Sequence, residues 1–191
     1  MKVSRETAAK HRAAIVTEAA TLFREHGFDG VGVAEIMKAA GLTHGGFYGH
    51  FASKDALAAE ASAKAFADGA ARVAKDADIG AYLNRYLTER HRDAAGTGCP
   101  MAALAAEVER HEPELQARFT GGMADYIAAI EALLLRSGAR KGAATRRRAV
   151  TLVAAVVGGM TLARACAAAD PDLSGEILAA LRSELSDLAR D

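Results

Sequence analysis

The side chains best placed to do chemistry lie together in Thr43-His44-Gly45-Gly46-Phe47-Tyr48-Gly49-His50, with Lys54 shortly after. Thr43 is suited to cap a short helix and to donate to a phosphate oxygen, and the start of a helix favours the same anion. Gly45 and Gly46 each weaken a helix by roughly 1 kcal/mol relative to Ala. Packing gains nothing from that loss, whereas an outward face that must come close to base edges gains room. Tyr48 offers a hydroxyl, His50 an imidazole and Lys54 a positive charge to a nucleic-acid backbone. Phe47 and Phe51, four residues apart, belong to a core. A core ring for Tyr48 and a solvated imidazole for His50 are the plainer alternatives.

Other candidate chemistries are thinner. Cys99 follows Gly98 and precedes Pro100 at the start of a predicted helix, where the helix dipole favours a thiolate; a small buried hydrophobe is the competing reading. Glu107 and His111 stand one helical turn apart and could share a metal, but Glu109, Arg110 and Glu112 around them read as a solvated charged face. An enzyme would pair Cys99 with His91 or His111 as nucleophile and base, and no orienting third group is readable. The loop Gly96-Thr97-Gly98 lacks the strand and the Lys-Ser/Thr of a phosphate-binding loop. No metal or cofactor is expected.

Those residues need elements to hold them, and the composition points to helices. Ala is abundant, Pro occurs three times, Trp is absent and 51% of the residues are hydrophobic, which suits an all-α fold with a full core. The chain carries 24 basic and 24 acidic residues, so no overall basic excess marks a nucleic-acid partner. Locally, Lys2, Arg5, Lys10 and Arg12 against Glu6 alone read as a basic N-terminal arm, with a solvated, frayed terminus as the plainer alternative. The two cysteines match no disulfide framework, and the opening residues are polar, so a cytoplasmic location is expected. The uncharged run from Ala149 to Ala163 falls short of the roughly 20 residues a bilayer needs and reads as a buried helix, with no membrane partner. Periodicity predicts about nine helices: Thr7–His26, Val33–Ala40, a short one from Thr43 to His50, one capped by Ser53, then helices around Ile79–Leu87, Pro100–Glu107, Pro113–Ser137, Ala143–Ala169 and from Ser174 onward.

Two short helices joined by a Gly-containing turn and braced by a longer one make a helix-turn-helix pattern. The particular residues sharpen it. Gly27-Phe28-Asp29-Gly30, Val33-Ala34-Glu35-Ile36, Ala39-Ala40-Gly41-Leu42-Thr43, Phe47-Tyr48-Gly49-His50-Phe51 and Ser53-Lys54-Asp55-Ala56-Leu57 closely resemble the N-terminal domain of the TetR family of bacterial regulators. The stretch Gly98 to Glu107 looks like one subgroup's sensor domain. The resemblance implies a DNA-binding domain over residues 1–52 and a helical ligand-sensing and dimerisation domain over 53–191. It implies that Thr43, His44, Gly45, Gly46, Tyr48, His50 and Lys54 contact DNA. Two departures stand out: Gly32 replaces the usual capping Ser or Thr, and Gly49 a larger polar residue, and both weaken the expected phosphate contacts without altering the fold.

The rest of the expectation is a ligand-responsive regulator, most often a repressor, that binds a palindromic double-stranded operator as a homodimer and is released by a small apolar or aromatic effector. Tyr82, Tyr86 and His91 on one helical segment, with Phe119, Met123 and Tyr126 on another, and Cys99 nearby, mix apolar surface with a few polar groups as small-molecule sites do. A plain core is the alternative for any one of them. The helix Ala143–Ala169 is apolar nearly all round, so it must be covered on two sides. Val153, Val157 and Met160 on it, with Leu181 and Leu185 on the last helix, are expected to meet a second subunit in a four-helix bundle, Gly158 and Gly159 allowing close approach.

Overall fold

The computed structural model describes residues 4–188, which form nine α-helices and three short 3-10 helices. Helix α1 (Arg5–His26) starts where the Ser4 hydroxyl accepts the Thr7 N–H and stops at Gly27, whose φ of 80° ends the turn. It buries Ile15, Ala19 and Phe23. Helix α2 (Val33–Ala39) buries Ile36 and Met37, and Gly41 at φ 72° makes the turn that follows, a conformation that side chains with a Cβ avoid. The next segment departs from expectation: His44–Gly49 is a 3-10 helix. Three of its six residues are glycines, too few good helix formers to sustain a full α-turn, and the tighter form is the usual short substitute.

Helix α3 (Lys54–Val73) opens on Ser53, whose hydroxyl accepts the Ala56 N–H at 3.0 Å. It runs from the head into the body and packs along α7 (Pro113–Arg136). The predicted Ile79–Leu87 helix is α4 (Ile79–Tyr86), and a further short helix, α5 (Glu89–Asp93), follows it because Thr88 caps a new start, accepting the His91 N–H. Helix α6 (Pro100–Leu104) ends earlier than predicted, and a 3-10 turn at Val108–Arg110 leads into α7.

Helices α8 (Ala143–Cys166) and α9 (Pro171–Leu188) form an antiparallel pair. Helix α8 is long and apolar enough to cross a membrane by length and composition. Here Leu152, Val156, Met160 and Ala163 are instead sealed into the core. A Cβ on Gly159 would run into the Leu181 side chain, so this glycine lets α9 close onto α8 within one chain. Ser174, expected at the start of the last helix, lies inside it; its buried hydroxyl donates to the Ala163 carbonyl and accepts from Arg92.

Candidate functional site

In the 43–54 segment the fold separates an inner face from an outer one. Phe47 and Phe51 are buried and stacked with centroids 5.7 Å apart, as their spacing requires. Tyr48 stands edge-on against Phe47 yet is 72% exposed, so its hydroxyl faces outward. Thr43, His44, Gly45, Gly46 and Gly49 are exposed, with His50 and Lys54 half-buried. Thr43 occupies the N-cap position without a side-chain bond to the helix, contrary to the predicted cap. No Asp or Glu falls between Thr43 and Lys54, and Lys54 joins no ion pair among the described residues.

The glycines on this face have no internal reason to be glycine. A Cβ on Gly45 or Gly49 would meet nothing within 4 Å, and on Gly46 only the end of Met37 at an ordinary 3.6 Å. None has positive φ. Gly32 likewise caps α2 in open space with no hydroxyl to offer.

The expected basic arm takes another form. Arg5 and Lys10 lie on α1, Lys10 pairs with Glu6, and Lys2 is outside the described residues. Arg12 forks onto Glu60 of α3 and lies 4.6 Å over the Phe51 ring. It fastens the head to α3.

More fasteners join the head to the body. The Glu107 carboxylate accepts the Phe28 N–H at 2.8 Å. His111 packs on the Phe28 ring at 4.9 Å and lies 3.4 Å from Asp55. These two residues are therefore neither a metal pair nor a solvated face, since both turn inward onto the head. The Arg24 guanidinium of α1 donates through Nε, at 2.7 Å, and through Nη2 to the carbonyl of Gly96.

That Gly96 loop is the wall of a cavity of about 330 Å3 in the body, lined by Gly69, Tyr86, His91, Cys99, Pro100 and Tyr126, with Arg72, Arg85, Arg90, Thr88, Ala94 and Thr97 completing it. Four predicted ligand residues thus meet: Tyr86, His91, Cys99 and Tyr126. Tyr82 is fully buried one layer behind, where its hydroxyl accepts from Tyr126 at 3.4 Å. Phe119 packs edge-on against Phe66 at 4.9 Å and Met123 is exposed; neither lines this cavity.

His91 has both ring nitrogens committed. Nδ1–H donates to the Tyr86 carbonyl at 2.7 Å and Nε2 accepts the Cys99 N–H at 3.1 Å, an arrangement only the neutral ring can make. Burial is the main force lowering its pKa to about 4, with Arg164, Arg85 and Arg72 adding to it. Burial likewise raises the phenols of Tyr82 and Tyr86 well above their ordinary value. The Tyr86 hydroxyl has no hydrogen-bond partner among the described residues.

The arginines around this cavity were not legible as site residues, because a charged residue on a helix normally reads as solvated. Arg24 gave no signal either, since its partner is a backbone carbonyl 72 residues away.

The predicted interface residues divide. Val153, Met160 and Leu185 are buried inside the single chain, and Leu181 fills the space over Gly159. Val157 is half-buried. Beyond Arg147, which is exposed near its start, α8 leaves exposed an uncharged stripe of Val150, Thr151, Ala154, Gly158, Thr161, Leu162 and Ala165.

Comparison with known proteins adds two domain matches. The model of the bacterial regulatory proteins of the tetR family matches residues 15–61. The model of the C-terminal domain of LmrA/YxaF-like transcriptional regulators matches residues 77–171. No curated protein matches the chain. Among solved structures, a TetR transcriptional regulator from Chloroflexus aurantiacus is 26% identical, with a TM-score of 0.75 over 95% of each chain. The reduced form of Escherichia coli NemR is 21% identical with a TM-score of 0.77, over 93% of this chain and 95% of that one. A TetR-family regulator from Agrobacterium tumefaciens is 22% identical with a TM-score of 0.73, over 93% and 98%.

Proposed function

The chain belongs to the TetR family of bacterial transcriptional regulators, and on that premise we propose that it is a homodimeric repressor whose 43–54 surface binds a palindromic operator and whose body cavity takes a small effector that releases it. Residues 1–52 do the binding, and residues 53–191 sense and dimerise. The observation that carries the reading is the exposed face of Thr43, His44, Gly45, Gly46, Tyr48, His50 and Lys54. It has no acid, and its glycines are not required by the fold. Open space above Gly45 and Gly49 lets the backbone approach base edges, while Thr43, Tyr48 and Lys54 reach phosphates.

One short helix reads few base pairs, so specificity needs two half-sites, placed roughly 34–36 Å apart or at a multiple of that spacing. The exposed stripe on α8 supplies the two-fold contact, with Gly158 letting the partner helix come close. Leu173, Ala179 and Ala180, exposed on α9, widen the apolar surface.

An occupant of the cavity would press on Ala94, Thr97 and Cys99, which flank the carbonyl that Arg24 holds. Movement of this loop pulls α1, and with it the spacing of the two heads. An effector that favours the wrong spacing weakens DNA binding, and DNA weakens effector binding by the same factor. Cys99 lies in the wall, within reach of an electrophilic occupant. Footprinting on the DNA flanking its own gene tests the proposal. Protection of an inverted repeat on one face of the duplex supports it, and protection of no discrete site refutes it.

A further inference from the structure

Of the twelve residues lining the cavity three are arginines and none is acidic. Arg85 is neutralised by Asp76, to which it donates from Nε at 2.9 Å. Arg72 and Arg90 lie on exposed rim positions and join no ion pair among the described residues. Behind the wall two more guanidinium groups are held by neutral oxygens. Arg24 donates to Gly96, and Arg164 donates to the carbonyls of Arg92 and His91 at 3.0 and 3.1 Å. Glu25 and Asp68 lie near Arg24 and Asp93 near Arg164, so the excess of positive charge belongs to the lining itself, where Arg72 and Arg90 border a partly enclosed space. Such a cleft concentrates anions.

A second observation points the same way. Tyr86 is one of the lining residues, and its hydroxyl is almost wholly buried beside the Cys99 side chain, with no nitrogen or oxygen partner among the described residues. A buried O–H without an acceptor is costly, and an oxygen on an occupant would relieve it. His91 cannot act as that acceptor, because both its nitrogens are engaged. The apolar part of the wall, from the Tyr126 ring, Pro100 and Gly69, leaves room for a compact hydrocarbon body.

Resting on the effector reading above, we propose that the cavity selects an acid: an apolar or aromatic body with one anionic group, held at the Arg72 and Arg90 rim and accepting a hydrogen bond from Tyr86 Oη. Charge, not apolarity alone, then defines the effector class. Planar guanidinium groups match a carboxylate in geometry as well as sign.

The experiment is calorimetric titration of the full-length protein with benzoate, naphthoate and octanoate, each against its primary amide, which keeps the shape and removes the charge. At least one acid should bind about tenfold more tightly than its amide, and added salt should weaken the acid alone. The pair Arg72→Gln and Arg90→Gln, both at exposed positions, should bring the acid down towards the amide, and Tyr86→Phe should weaken the acid with helicity unchanged. Amides that bind as well as acids, or acid binding that survives the arginine pair intact, would overturn the proposal while leaving the effector site standing. Binding of no compound in either class would instead overturn the effector reading of this cavity, and the proposal with it.

Discussion

Replacing Gly45 and Gly49 together by Ala should make the protein more stable and a worse DNA binder at the same time. Neither position has a positive φ, and a Cβ at either would meet nothing within 4 Å. The substitution therefore costs no strain in the free protein, and it narrows the unfolded chain's freedom. Each site should gain about 0.5–1 kcal/mol, so about 1–2 kcal/mol together. In a chain of this size each kcal/mol raises the melting temperature by about 2–4 °C. On DNA the sign reverses, because two methyl groups now stand between the backbone and the base edges. Losing one good base contact costs about 1–3 kcal/mol, so operator affinity should fall about tenfold or more. Thermal unfolding and a gel-shift titration on the footprinted operator give both numbers. A double variant that is stabilised yet binds the operator as well as wild type would refute the argument that these glycines exist for DNA. One that is destabilised would refute the reading of open space.

Ala154→Glu should leave the monomer's fold and helicity intact, because the side chain is exposed in the protomer. An unpaired charge buried at the subunit contact costs about 3–5 kcal/mol, so sedimentation should show monomers at concentrations where wild type is dimeric. Arg24→Gln should preserve helicity but loosen the Gly96 loop from α1. Effector-induced release from DNA should then weaken by about 0.5–2 kcal/mol of coupling, and unaltered release would remove Arg24 from the route. His91 titrates at about 4 when folded, against 6.5 as its ordinary value. Below pH 6.5 the unfolded chain takes up a proton that the folded chain refuses, so stability falls as pH drops from 6.5 to about 4, by roughly 3 kcal/mol at the lower end. Urea unfolding across that range should show a slope that His91→Phe flattens.

The helices were legible because their apolar residues recur on one face, as Ile15, Ala19 and Phe23 do in α1. The inner face of the head was legible for the same reason, in Phe47 and Phe51. Three kinds of feature were not. The 3-10 form of 44–49 depends on how few side chains support it, which periodicity does not register. The fates of Val153, Met160 and Leu185 turn on whether an apolar residue meets its own chain or a second one, and hydrophobicity is blind to that difference. The joint of Arg24 with Gly96, and of Glu107 with Phe28, joins a side chain to a backbone group, and backbone groups are the same at every residue. The cavity was half legible. Its tyrosines and Cys99 stood out as polar groups amid Ala, while Phe119 and Met123 shared their helical register with Tyr126 and still point elsewhere.

The most direct test of the central claim is the operator affinity of the triple variant Tyr48→Phe, His50→Ala, Lys54→Ala, measured beside its far-UV helicity and oligomeric state. Tyr48 is mostly exposed and neither His50 nor Lys54 is buried, so the variant should fold as wild type does. If the 43–54 face grips DNA, protection of the inverted repeat should disappear at concentrations that saturate the wild type, and the salt dependence of residual binding should flatten as phosphate contacts are lost. A folded triple variant that binds the operator with undiminished affinity would contradict the account.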